Sequence, residues 1–198
     1  MCGIAGLIYK GRQSNVGSQM TSMLQALKHR GPDSTGYAVY SEGVADEFVM
    51  RVKVAEADDM ASGRSIYAEL ERRISRIDEI LKENGATVKD KSKATEYALR
   101  YVIKYEGDMR LLANHLEEVS GTEILSIGNG LELIKDLGDA ADVAGAYGLE
   151  SFNGTHGIGH TRMATESDVD IRSAHPYWAF PYNDVSVVHN GQITNYWI

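Results

Sequence analysis

Cysteine is almost missing: among 198 residues only Cys2 carries a thiol. One thiol cannot close an internal disulfide, which fits a reducing compartment. Long apolar runs are missing as well. None approaches the ~18 residues that a bilayer-spanning helix needs, and the opening residues lack the basic-then-apolar layout of a secretory leader. No membrane association is expected, and the chain is placed in the cytoplasm. Positive charge is in short supply, with 20 Lys and Arg against 28 Asp and Glu and a net charge of -8. The basic residues alternate with acids, so no nucleic-acid partner is expected, because binding by counterion release needs clustered cations. What remains is an acidic chain, 43% hydrophobic, long enough to bury the core of one domain.

Read in order, residues 3 to 9 predict a buried strand. Met20, Met23, Leu24 and Leu27 recur at helical spacing, so a helix is expected from Val16 to Lys28, stopping before Gly31 and Pro32. Residues 37 to 40 and 47 to 54 alternate as strands around the Ser41-Glu42-Gly43 connection. From about 55 to 147 the character changes. Ile66, Leu70, Ile74, Ile77 and Leu81 form the stripe of a long amphipathic helix. Ala94, Tyr97, Ala98, Tyr101, Val102 and Tyr105 predict a second helix, with the tyrosines in its core face. Met109, Leu112, Leu116 and Val119 predict a third. Residues 124 to 127 and 131 to 134 flank Gly128-Asn129-Gly130 as a hairpin, and 139 to 147 reads as a short helix. This stretch contains no catalytic motif, and it is expected to be a largely helical insertion. Residues 155 to 161 predict a strand, 168 to 171 a loop edge, 185 to 189 a central strand and 194 to 198 the start of a helix.

Cys2 becomes the terminal residue once the initiator methionine is removed, as its small side chain permits. Thiol and α-amine then sit on one residue, and an amine of pKa ~7.7 to 8.0 serves as a general base near neutral pH. Taken alone, a single cysteine is more simply a small apolar residue near a chain end. Its companions decide. His29-Arg30-Gly31-Pro32-Asp33-Ser34, Gly159-His160-Thr161-Arg162 with Ala164-Thr165, and His189-Asn190-Gly191 follow Met-Cys-Gly in that order.

Four motifs in this order resemble the class II glutamine amidotransferases, which are N-terminal nucleophile hydrolases. Within them the chain looks most similar to the amidotransferase subunit of split, archaeal-type glutamate synthases, through residues 30 to 36 and 161 to 167. The resemblance implies an α+β fold, the αββα sandwich of N-terminal nucleophile hydrolases, apparently truncated, with the insertion at about 55 to 147. It implies that Cys2 attacks the side-chain amide of glutamine and relays the proton through its amine. Asn190 and Gly191 would form the oxyanion hole and Arg162 would grip the α-carboxylate, with Thr165 as a neighbouring contact. Arg30 would support the nucleophile. Ammonia would pass to a synthase subunit, with 2-oxoglutarate as acceptor and flavin and iron-sulfur clusters in that partner. No cofactor or metal is implied in this chain, and association with further copies of itself stays open.

The chain departs from the family pattern at Met163, where many members carry Trp, and at Glu166, where they carry His. Nothing in 1 to 198 can be assigned to the substrate's α-amino group, which the family binds through an acidic residue further on. Two other readings stay open: a non-catalytic glutamine-sensing subunit, and an N-terminal cysteine hydrolase acting on another amide. His156 and His160 are four apart, but Gly154, Gly157 and Gly159 oppose a metal-binding helix there. His29, His175 and His189 read as hydrogen-bonded structural residues.

Overall fold

The computed structural model describes residues 2–56, 59–60, 64–164 and 169–191, side chains of 64 and 65 apart. Among them are two four-stranded antiparallel sheets and four α-helices. The first sheet has the order β1 (Gly3–Ile8), β8 (His156–Arg162), β2 (Ser34–Tyr40), β7 (Leu131–Leu137). The second has the order β4 (Thr87–Lys93), β5 (Ala98–Lys104), β3 (Glu47–Lys53), β6 (Glu123–Gly128). Helices α1 (Val16–Ala26) and α4 (Ala140–Tyr147) bury Met20, Leu24, Val143 and Ala144 against Tyr37, Val39 and Ile134 of the first sheet. Helices α2 (Arg64–Glu83) and α3 (Met109–Glu117) bury Ile77, Leu81, Leu112 and Leu116 against Met50, Val52, Tyr101 and Ile103 of the second. A third cluster, Ala38, Tyr40, Leu125, Leu131 and Leu133, joins the sheets. The chain is therefore α+β, in layers consistent with the expected N-terminal nucleophile hydrolase type.

The helix edges follow capping chemistry. Asp108 and Asp139 each accept two backbone N–H groups at the start of α3 and α4, and Gly148, at φ 65°, closes α4 in the left-handed region. A bulge in the β3–β6 pairing, where the partner jumps from Ser126 to Ile124, turns Leu125 toward the first sheet.

Three expectations are corrected. The helix expected at 94 to 105 is β5: Leu99, Tyr101 and Ile103 enter the core at period two, and the strand is bonded on both edges, to β3 and β4. Alanine and tyrosine at three- and four-residue intervals satisfied a helical template, but pairing with two neighbours overrode it. Residues 123 to 137 do not form a hairpin. Gly128-Asn129-Gly130 carries the chain from β6, paired with β3, to β7, paired with β2, so the turn crosses between sheets. The strand expected at 185 to 189 is only β10 (Ser186–Val187), paired with β9 (Tyr177–Trp178) outside both large sheets. Strand β4 had no counterpart in the sequence reading; every one of its residues is exposed, and Lys91 and Lys93 pair with Asp78 and Glu71 of α2. Charged edge strands of this kind resist pairing with other chains. The 55 to 147 stretch thus supplies β4, β5, β6 and β7, and β7 is hydrogen-bonded into the first sheet beside β2. The helix expected at 194 to 198 lies outside the described residues.

Buried charge links the sheets. Glu132 of β7 takes Arg51 of β3 at 2.6 Å and Arg100 of β5 at 2.9 Å. Burial would raise the Glu132 carboxyl, but the two guanidiniums outweigh it and hold it below its ordinary range. Lys135 and Lys53 flank Glu123 at 3.0 and 2.9 Å with a similar result.

Candidate active site

The site lies where β1 and β8 meet the turn after α1. Gly3 is paired with Thr161, so the chain runs from Cys2 into β1 beside the end of β8, whose last residue is Arg162. Two glycines permit this closeness. A Cβ on Gly3 would come 2.8 Å from Thr161 Oγ1, and one on Gly31 would come 2.5 Å from the Arg162 carbonyl carbon. Asp33 locks the turn to the strand. Its N–H donates to the Arg162 carbonyl at 3.1 Å, and its Oδ2 accepts the Ala164 N–H at 2.7 Å. Asp33 was legible only as part of a turn motif; its clamp on 162 to 164 needed the fold.

Cys2 is half-buried, with a free thiol. Its carbonyl accepts two side-chain donors from distant parts of the chain: Asn190 Nδ2 at 2.9 Å and Arg30 Nε at 3.2 Å. Nucleophile candidate, Arg30 and Asn190 are thus brought together. Gly191 follows Asn190, and both are exposed. Arg162 is 7% exposed at the end of β8. Thr165 and Glu166 lie outside the described residues.

Asn190 arrives on an arm, residues 169 to 191, laid across the first sheet. Asp184 anchors it, accepting the backbone N–H groups of Asn129, Gly130 and Leu131 at 3.2, 2.8 and 2.7 Å. Tyr40 Oη and Ser186 Oγ share a hydrogen bond of 2.7 Å. Beneath the arm, His160 of β8, 1% exposed, stacks on His175 with ring centroids 4.7 Å apart. Burial, with Arg162 nearby, pushes His160 down to about 4; burial and the neighbouring His160 push His175 down to about 3. Both rings are neutral at neutral pH. Asp184 had no sequence signal.

Among the described residues, no group of three or more His, Cys, Asp or Glu is placed to hold a metal ion, and no helix is long and apolar enough to cross a membrane.

Residues 1–62 match the glutamine amidotransferase domain family. A provisionally named glutamine amidotransferase of Methanothermobacter thermautotrophicus is 36% identical over 200 residues, covering 100% of this chain and 63% of the relative. The glutamine amidotransferase-like protein GlxB of Rhizobium meliloti is 32% identical over 198 residues, covering 99% of this chain and 60% of its own length. The chain therefore spans about three-fifths of these two relatives. A glutamine-fructose-6-phosphate aminotransferase (isomerizing) of Pyrobaculum aerophilum is 41% identical over 70 residues, 35% of this chain and 12% of that protein. Four ordered motifs, an α+β fold with antiparallel sheets and these similarities agree: the chain is similar to glutamine amidotransferases, consistent with a class II amidotransferase domain.

Proposed function

We propose that the protein releases ammonia from glutamine through a Cys2 thioester and delivers it to an acceptor on a partner. The observation that carries this reading is the convergence of Asn190 Nδ2 and Arg30 Nε on the Cys2 carbonyl, 2.9 and 3.2 Å away. With Met1 removed, the Cys2 α-amine takes the thiol proton as sulfur attacks the side-chain amide carbon. The tetrahedral intermediate carries an oxyanion. Asn190 Nδ2 has two hydrogens, so one can stay on the Cys2 carbonyl while the other meets the oxyanion beside the Gly191 N–H. The α-ammonium returns its proton to the departing nitrogen, ammonia leaves and a thioester remains. Water then attacks the thioester, the amine accepts its proton, and glutamate and the free thiol are regenerated.

Arg162 is assigned the α-carboxylate of glutamine, since a guanidinium fork matches two carboxylate oxygens and this arginine ends the strand beside Cys2. Thr165 is a neighbouring carboxylate contact, and Arg30 orders the nucleophile's peptide. We further propose a synthase subunit as partner, with 2-oxoglutarate as acceptor and flavin and iron-sulfur centres on that subunit; motif similarity at 30 to 36 and 161 to 167 supports this.

Replacing Cys2→Ala in the full-length protein is expected to abolish glutamate release with the thermal unfolding midpoint unchanged, and a thiol-directed glutamine analogue is expected to add once, at Cys2, by mass spectrometry. Turnover surviving in Cys2→Ala would overturn the reading. An intact mass with Met1 retained on active protein would remove the amine from the mechanism.

A further inference from the structure

Asn190 is exposed and lies beyond β10, which ends at Val187 and is the last strand among the described residues. An asparagine in that position would sample several rotamers unless its backbone were held. The His189 N–H, one residue before it, donates to Nδ1 of His175 at 3.1 Å. The acceptor is itself immobilised. His175 is 7% exposed and its ring is wedged between His160 and Tyr177, at centroid distances of 4.7 and 4.5 Å. Its carbonyl occupies space that a Cβ on Gly36 would fill, since the two would lie 1.9 Å apart, so the residue is seated directly on β2. A continuous path therefore runs from the first sheet through His175 to the amide of His189, and through the adjoining Asn190 side chain on to the Cys2 carbonyl.

We propose that His175 is a positioning residue: its unprotonated Nδ1 fixes the peptide that aims the Asn190 side chain at the nucleophile. The proposal rests on the amidotransferase reading of Cys2 and Asn190. His175 touches no reacting atom; it acts through Asn190. The unprotonated Nδ1 implies a neutral ring carrying its hydrogen on Nε2, because an N–H at Nδ1 would oppose the His189 N–H.

The test uses three variants of the full-length protein and their glutaminase kinetics. His175→Phe keeps the ring wedged between its neighbours but offers no acceptor. His175→Asn places an oxygen close to the Nδ1 position. Asn190→Ala removes the group being aimed. In His175→Phe, kcat is expected to fall ~10- to 100-fold, the scale of a small misplacement at a reacting centre, with KM for glutamine nearly unchanged. His175→Asn should recover most of that loss. His175→Phe combined with Asn190→Ala should be no slower than Asn190→Ala alone, since two residues acting through one contact are not additive. Wild-type kcat in His175→Phe, no rescue by asparagine, or fully additive losses would overturn the proposal. Should His175→Phe fail to fold, amide exchange decides: His189 N–H is expected to be protected in the wild type and in His175→Asn, and exchange at the rate of an open amide refutes the tether. Failure of the underlying reading looks different, because wild-type protein would then show neither turnover nor a Cys2 adduct, and the positioning role would fall with it.

Discussion

Gly31→Ala is expected to damage stability and turnover together, although alanine suits the backbone there. Gly31 has φ -169° and ψ 91°, an extended conformation open to any residue, so no backbone strain enters. The obstacle is space. The new Cβ would lie 2.5 Å from the carbonyl carbon of Arg162, 2.6 Å from the Thr161 oxygen and 2.7 Å from the Arg162 nitrogen. Comfortable contact begins near ~3.5 Å, so the turn and the end of β8 must part by about 1 Å. Both segments resist, because Ser34 is paired with Arg162 and Asp33 bonds to 162 and 164. Overpacking of this kind costs ~1 to 3 kcal/mol. For a chain of this size that lowers the melting midpoint by roughly 2 to 12 °C. The same displacement moves Arg162 relative to Cys2, and if Arg162 holds the substrate as proposed, a 1 Å error costs up to ~10²-fold in kcat/KM. Thermal melts and glutamine titrations measure the two effects. Gly145→Ala is the control: it lies within α4 with no atom inside 4 Å of the new Cβ. There alanine should stabilise by ~0.5 to 1 kcal/mol and leave kinetics alone. A Gly31→Ala protein with wild-type melting and wild-type kcat/KM would refute the claim that this contact sets the site's geometry.

Glu132→Gln should cost about 3 to 5 kcal/mol in urea unfolding at neutral pH, because it leaves Arg51, with a side chain only 8% exposed, facing Arg100 without a counter-charge; a loss under ~1 kcal/mol would show that the cluster relaxes into water. Stability should also decline as pH falls from about 6.5 toward 4, because the unfolded chain protonates His160 and His175 while the folded chain keeps them neutral down to about 4 and about 3. Below 4.5 the depressed Glu123 and Glu132 add to the loss. A urea midpoint that stays flat between pH 6.5 and 4.5 would contradict this. Asp184→Ala removes the shared acceptor of three backbone N–H groups and is expected to cost about 2 kcal/mol and to speed amide exchange at Asn129 to Leu131; unchanged protection there would mean that the arm is held elsewhere.

The sequence alone determined a good deal. Helices α1 and α2 were legible because their apolar residues recur at helical intervals over eleven and twenty residues. The candidate residues Cys2, Arg30, Arg162, Asn190 and Gly191 were legible because each sits in a short motif whose residue types have few other uses. Tertiary structure decided the rest. Residues 98 to 104 satisfied two periodicities at once, and hydrogen bonding to neighbours on both sides made them a strand. Gly128-Asn129-Gly130 turns equally well within a sheet or between sheets; Leu131 and Leu133 packing with Leu125, and Arg51 and Arg100 claiming Glu132, carried the chain across. Nor could spacing along the chain show that Asp184 anchors the arm at Asn129 to Leu131, or that His175 holds the peptide before Asn190. Those contacts join residues 14 to 55 positions apart. A local pattern records what one segment prefers, whereas a long-range bond depends on where two segments finally meet.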